Sequence, residues 1–225
     1  MHRAPALAAL AGAALAVALA ICPRSAGACE LALLLAIDIS GSVDDGEYRL
    51  QVDGTADALS DPEVAEALLQ GQVALAVVQW SSIGMQKLVQ PWQVMDSRAA
   101  IADFAGKARK QERAFGKADT AVGDALRFSV QQFDTAPGCR RMVIDISGDG
   151  VQNSGGPLAD GRAAVIDRGI TLNAIAIEGI GLAITEFYLG NVITKDGFVV
   201  TARGHTDYPR AIRAKLLREV AIPTG

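Results

Sequence analysis

Four runs of this chain, residues 31–39, 73–80, 141–147 and 170–177, are almost entirely apolar. A strand with one wet face alternates apolar and polar residues, whereas a strand covered on both faces has no reason to. Each run is too short to be a buried helix, and the segments between them carry helical spacing. That alternation implies an α/β class: a doubly wound, mostly parallel six-stranded sheet with helices on both faces. The expected strands are 31–39, 73–80, 85–90, 141–147, 170–177 and 197–201. The expected helices are 45–58, 63–70, 96–107, 120–133, 157–168, 183–192 and 208–220. The polar, irregular stretch 106–119 reads as a surface loop.

The first run ends in Asp38-Ile39-Ser40-Gly41-Ser42. In an open α/β sheet, ligands bind beyond the carboxyl ends of the strands. One carboxylate and two hydroxyls delivered there suit a hard divalent cation better than base catalysis. The run 141–147 leads into Gly148-Asp149-Gly150. If these two strands are neighbours at the switch point, Asp38 and Asp149 face each other across one crevice. Between them in sequence, Thr120 offers a hydroxyl at a helix start, as an N-cap, a ligand or both. Asp119 and Gly150 adjoin these positions, and Glu178, just past the fifth run, points toward the same rim.

Asp-x-Ser-x-Ser after the first strand, a threonine opening a central helix and an aspartate after the fourth strand together resemble the metal-ion-dependent adhesion site (MIDAS) of von Willebrand factor type A domains. The resemblance runs through essentially all of residues 29–225. It is strongest toward secreted bacterial members without an assigned function, with Val78-Gln79-Trp80 and Ile144–Gly150 contributing. It implies a Rossmann-like fold in which the hydroxyls of Ser40 and Ser42 bind the ion directly. Asp38, Asp149 and Thr120 would bind directly or through water; by position alone, Asp119, Gly150 and Glu178 are candidates for an outer ring. The ion implied is Mg²⁺, with Mn²⁺ or Ca²⁺ also accommodated by oxygen donors. One open coordination position would take an aspartate or glutamate of a protein partner. The chain departs from the family where Lys117-Ala118-Asp119 replaces a glycine-rich approach to the threonine. The uncharged stretch 151–156 reads as a flexible rim.

Composition narrows the alternatives. The formal charge of −4 disfavours nucleic acid and anionic lipid as partners. Of two histidines, His2 lies in the leader and His205 reads as a loop residue, so Ser-His-Asp chemistry has almost no material. Ser40-Gly41-Ser42 also fails the G-x-S-x-G nucleophile pattern. The expectation is a binding module and not an enzyme. The alternatives are a metal-dependent hydrolase or phosphatase, and a structural subunit whose metal does not exchange.

Met1-His2-Arg3, an apolar stretch from Ala6 to Cys22 and Ala26-Gly27-Ala28 form a secretory signal peptide over 1–28, with a retained anchor as the rival reading. The expected location is periplasmic or extracellular, with no transmembrane segment after the leader. Of three cysteines, Cys29 and Cys139 remain. Each precedes its strand's aspartate, Asp38 or Asp149, by nearly the same offset, which favours a Cys29–Cys139 disulfide over a lipid-modified Cys29. Trp80 and Trp92 read as packing residues. Asp145 reads as a buried, hydrogen-bonded acid, and Lys107, Arg109, Lys110 and Arg113 as a solvated helix end.

Overall fold

The apolar runs pair side by side and are covered on both faces. The computed structural model describes Met1 and residues 29–221, so the expected leader lies outside the described residues apart from Met1. In chain order the elements are β1 (Leu31–Asp38), α1 (Asp45–Ser60), α2 (Pro62–Gln70), β2 (Ala74–Trp80), β3 (Gln86–Val94), α3 (Arg98–Arg109), α4 (Val122–Gln132), β4 (Arg141–Gly148), α5 (Leu158–Asp167), β5 (Thr171–Ile177), α6 (Ala183–Phe187), β6 (Val199–Ala202) and α7 (Tyr208–Val220). A turn of π-helix, Tyr188–Val192, continues α6. The strands lie in the order β3-β2-β1-β4-β5-β6, parallel except for β3. β1 and β4 are neighbours at the switch point, as expected.

Side-chain parity along β1 explains the two layers of helices. Leu31, Leu33, Leu35 and Ile37 enter a core shared with α1, α2, α3 and α7, through Leu59, Leu68, Phe104 and Leu216 among others. Ala32, Leu34 and Ala36 enter a second core, shared with α4, α5 and the π-turn through Leu126, Val165 and Tyr188. Each fully buried leucine contributes about 1.5–3 kcal/mol. The alternating assignment fixes which face each β1 residue occupies, because a one-residue slip exchanges the two cores.

β3 runs beyond the expected Met85–Gln90 as far as Val94 and passes through Pro91. It is the edge strand, where a missing N–H breaks no ladder bond, and an irregular register between Gln90 and Gln93 takes up the proline. Cys29 and Cys139 form a disulfide with Cα atoms 4.5 Å apart. The register pairs Leu31 with Arg141, so each cysteine lies two residues ahead of a paired position. Among the described residues no helix is long and apolar enough to cross a membrane.

The segment expected as a surface loop is built in. α3 continues to Arg109, and the residues after it dock against α1 and the β1 loop. Arg113 donates to the carbonyls of Ile39, Val43 and Asp44 at 3.3, 2.8 and 3.1 Å. Gln79 donates to Tyr48 Oη and the Glu112 carbonyl and accepts the Ala114 N–H. Arg113 is therefore structural, not part of a solvated helix end. Lys107 and Arg109 do lie at the surface, paired with Asp103 and with Asp53 and Asp57.

Candidate metal centre

β1 is apolar up to Ile37, and Asp38 is its last residue, fully buried. The chain then turns, and Asp38 Oδ1 accepts the Ser40 N–H at 2.7 Å. This turn sets the two serine hydroxyls side by side, with Ser40 Oγ and Ser42 Oγ 3.2 Å apart. Thr120 Oγ1 donates to Ser40 Oγ at 3.2 Å, and Ser42 Oγ donates to Asp149 Oδ1 at 2.6 Å. Asp38, Ser40, Ser42, Thr120 and Asp149 thus form one connected cluster, drawn from β1, the approach to α4 and the end of β4. Gly41 allows the close approach of the Thr120 loop: its N–H donates to the Ala118 carbonyl at 2.6 Å, and a Cβ there would lie 3.1 Å from that oxygen.

Thr120 is not the N-cap of α4. The helix begins at Val122, and Ala121 in the cap position makes no side-chain cap bond. The donors exposed at this helix start are taken by the stretch expected as a flexible rim. Gln152 Oε1 accepts the Gly123 N–H, and Asn153 Oδ1 accepts the Thr120 N–H, both at 2.8 Å. Thr120's carbonyl accepts the N–H groups of Asn153 and Ser154. The rim is therefore fixed, and it leaves the Thr120 hydroxyl free to face Ser40.

The outer positions divide. Gly150 adjoins the cluster, its α-carbon so placed that a Cβ would lie 3.7 Å from Thr120 Oγ1. Asp119 is exposed and contributes its carbonyl, which accepts from Ser81 Oγ at 3.1 Å; among the described residues no hydrogen bond joins its carboxylate to the cluster. Glu178 is buried and its carboxylate accepts the N–H groups of Ile184 and Thr185 at 3.3 and 2.6 Å, anchoring the start of α6.

Two residues outside the predicted site, Tyr188 and the expected loop residue His205, complete the surroundings. Tyr188, at the start of the π-turn, is fully buried with its hydroxyl unpartnered among the described residues. It lies beside Asp38 Oδ2, which is buried and unpartnered too, and a Cβ on Gly148 would run into both. His205 lies on the other side, with Nε2 3.9 Å from Asp149 Oδ2. No sequence pattern marks either one, since each reaches the centre from an element far along the chain.

The electrostatics are those of a site short of positive charge. Burial, and then the charge of Asp149, push the Asp38 carboxyl up to about 7 against the lowering effect of the Ser40 N–H. Among the described residues no lysine or arginine pairs with Asp38 or Asp149. Nor do the described residues hold a cluster of three or more His, Cys, Asp or Glu with metal-site spacing, so the donors here are chiefly hydroxyls. Neighbouring donors about 2.1 Å from one octahedral ion stand roughly 3.0 Å apart, close to the 3.2 Å hydroxyl spacings observed. The orphaned Asp38 Oδ2 and this spacing fit a small divalent cation.

Comparison with known proteins agrees with the fold. A family model described as a protein of unknown function, DUF1194, matches residues 28–224. No curated protein matches the chain by sequence. Among solved structures, proximal thread matrix protein 1 from the mussel byssus with a zinc-occupied MIDAS motif is 19% identical, with a TM-score of 0.64 over 86% of this chain and 48% of that one. The chain thus spans about half the length of that protein. A von Willebrand factor type A protein from Catenulispora acidiphila is 21% identical, with a TM-score of 0.58 over 86% of this chain and 42% of that one. The von Willebrand domain of the type V pili tip protein Mfa5 from Porphyromonas gingivalis is 10% identical, with a TM-score of 0.62 over 88% of this chain and 98% of that one. These likenesses show the von Willebrand type A fold.

Proposed function

The chain belongs to the DUF1194 family of proteins of unknown function, and from that premise we propose that it is an exported, metal-dependent protein-binding module. Asp38, Ser40, Ser42, Thr120 and Asp149 hold a divalent cation, Mg²⁺ by the hardness of the donors alone. When bound, the ion supplies positive charge and a coordination position open to a carboxylate of a partner protein. The observation that carries this reading is the Ser40 hydroxyl in contact with those of Ser42 and Thr120, on the turn held by Asp38, whose other oxygen is buried and unpartnered among the described residues.

Each residue has a definite part. Asp38 and Asp149 provide the negative charge, and the Ser40 N–H orients Asp38 so that one oxygen stays free. The hydroxyls of Ser40, Ser42 and Thr120 add donors without adding charge. An ion among them stays under-neutralised and attracts an anionic partner. Ser42 lies at the surface, where a partner can reach it, and Asp149 is half-buried beside it. The similar proteins, a byssus matrix protein with a zinc-occupied MIDAS motif and a pili tip protein, support a role in extracellular or periplasmic attachment over one in turnover.

The test is thermal unfolding of residues 29–225 in EDTA, Mg²⁺, Mn²⁺ or Ca²⁺, for wild type and Asp38→Ala. A ligand that binds only the folded state raises the midpoint. A metal-dependent rise that Asp38→Ala abolishes supports the reading; no rise with any ion at millimolar concentration removes it.

A further inference from the structure

Few large apolar side chains of this protein stand in open solvent, and most of those share one end of it. Ile180 is fully exposed, and Ile83, Leu182 and Val151 are 65, 57 and 47% exposed. They lie on the turns that follow β2, β4 and β5, all parallel to β1 or to its neighbour. Their end of the sheet is therefore the one that carries Asp38, Ser42 and Asp149. Apart from Met1, the other exposed ones among the described residues are Ile166 and Leu189, on α5 and the π-turn. Single exposed apolar residues need no explanation, but a set grouped about a binding cluster marks a contact surface.

The order β2-β1-β4-β5 places this set on both sides of the cluster. On the β2 side, Ser82 Oγ lies 3.5 Å from Ser154 Oγ, so the turn with Ile83 borders the stretch that begins at Val151. On the β5 side, Glu178 fixes the loop with Ile180 and Leu182. Its N–H donates to the Ala202 carbonyl at 2.9 Å, and its carboxylate holds the start of α6. Adjacent strands are about 4.8 Å apart, so the ends of β2 and β5 stand about 14 Å apart, which about four extended residues of a partner cover.

Charge indicates what chemistry the partner brings. Beyond Leu182 an open hollow of about 710 Å³ is lined by Leu182, Thr201, Arg203, Asp207 and Arg210. Arg210 is committed to Asp207 through bonds of 2.6 and 2.7 Å. Arg203 gives Asp207 its backbone N–H, and its exposed guanidinium makes no hydrogen bond among the described residues. An unengaged guanidinium next to a leucine suits a carboxylate that adjoins an apolar side chain. On the β2 side the exposed Lys117 and Asp119 offset each other, so only the β6 side calls for a second acid.

We propose that this end of the sheet docks an extended acidic segment of a protein partner. One carboxylate meets the metal centre, apolar side chains on either side of it cover Ile83 with Val151 and Ile180 with Leu182, and a second carboxylate reaches Arg203. The proposal deepens the protein-binding reading above and rests on it for the central carboxylate.

The test selects a displayed library of random peptides on residues 29–225 in Mg²⁺ and measures the enriched peptides by fluorescence polarisation. The expected sequences combine two acids with large apolar residues. Ile180→Ser with Leu182→Ser, and separately Arg203→Glu, weaken their binding about ten-fold or more. Ile166→Ser, an equally exposed control on α5, leaves binding unchanged, and melting points equal to wild type exclude unfolding as the cause. No enriched sequence, enriched sequences without acids, or binding that Ile180→Ser with Leu182→Ser leaves within about two-fold overturns the proposal. EDTA and Asp38→Ala separate the two readings. Binding lost in both, yet indifferent to Ile180 and Leu182, overturns the surface and keeps the metal centre. Binding that needs Ile180, Leu182 and Arg203 but survives EDTA keeps the surface and removes the metal centre from it.

Discussion

Ser42 Oγ donates to Asp149 Oδ1 at 2.6 Å, joining the turn after β1 to the loop after β4 across 107 residues of sequence. The bond fixes one oxygen of Asp149 and ties a neutral donor to a charged one. Ser42→Ala removes a donor and that restraint together. The expected outcome is a loss of Mg²⁺ affinity of about 10–100-fold, read by titration calorimetry. Affinity within two-fold of wild type would show that Ser42 is no part of the centre.

Asp38 gives the metal-free protein a pH dependence. Its carboxyl is pushed up to about 7, chiefly by burial, whereas in the unfolded chain it titrates near the ordinary aspartate value of about 3.9. Between those values the folded state holds a proton that the unfolded state has released, so stability falls as pH rises through this window. Above about pH 7 the cost is complete. Asp145, also pushed up to about 7 by burial, contributes in the same direction. Urea unfolding in EDTA is expected to show Asp38→Asn gaining more stability over wild type at about pH 8 than at about pH 5. Equal differences at both values would contradict the assignment.

Gly148 leaves room for the Tyr188 phenol. A Cβ there would collide with the Tyr188 hydroxyl and lie 3.0 Å from Asp38 Oδ2. Gly148→Ala is expected to cost about 1–3 kcal/mol by overpacking. Adding Tyr188→Phe, which deletes the obstructing oxygen, should restore much of the loss. Calorimetric melting of the single and double variants checks this; additive effects would refute it.

Lys215 is fully buried, its Nζ 3.0 Å from Asp145 Oδ1 and 2.6 Å from Glu219 Oε1. Asn173 also donates to Glu219, at 2.7 Å. Lys215→Met strands two carboxylates in the core beneath β4, at a cost of about 3–5 kcal/mol. Lys215→Met combined with Asp145→Asn and Glu219→Gln should cost less than Lys215→Met alone. Urea denaturation of both variants decides it.

The fold was largely legible because strands covered on both faces must be apolar throughout, and few other elements look like that. The parallel core, the β1–β4 pairing and the Cys29–Cys139 bond all follow from that pattern and from similar offsets along two strands. Local chemistry misled where long-range contacts decided the outcome. Thr120 has the residue type of an N-cap, but Gln152 and Asn153 supply the hydrogen bonds at the start of α4. The stretch 110–119 combines exposed charges, Lys110, Glu112, Lys117 and Asp119, with the Arg113 side chain and backbone groups that bond to α1, β2 and the turn after β1. His205 and Tyr188 carry no local signal, since each reaches the cluster from a distant element. Glu178 was read as pointing toward the rim of the site, but its carboxylate is used by α6.

β1 and β4 are fastened at both ends. The disulfide joins them ahead of Leu31 and Arg141, and Ser42 grips Asp149 beyond the last paired residues. A ladder held in this way cannot slide, so the gap between Asp38 and Asp149 is a dimension of the sheet and not of the loops that carry them. Reshaping the surrounding rim to suit a new partner therefore leaves the spacing of the two acids untouched.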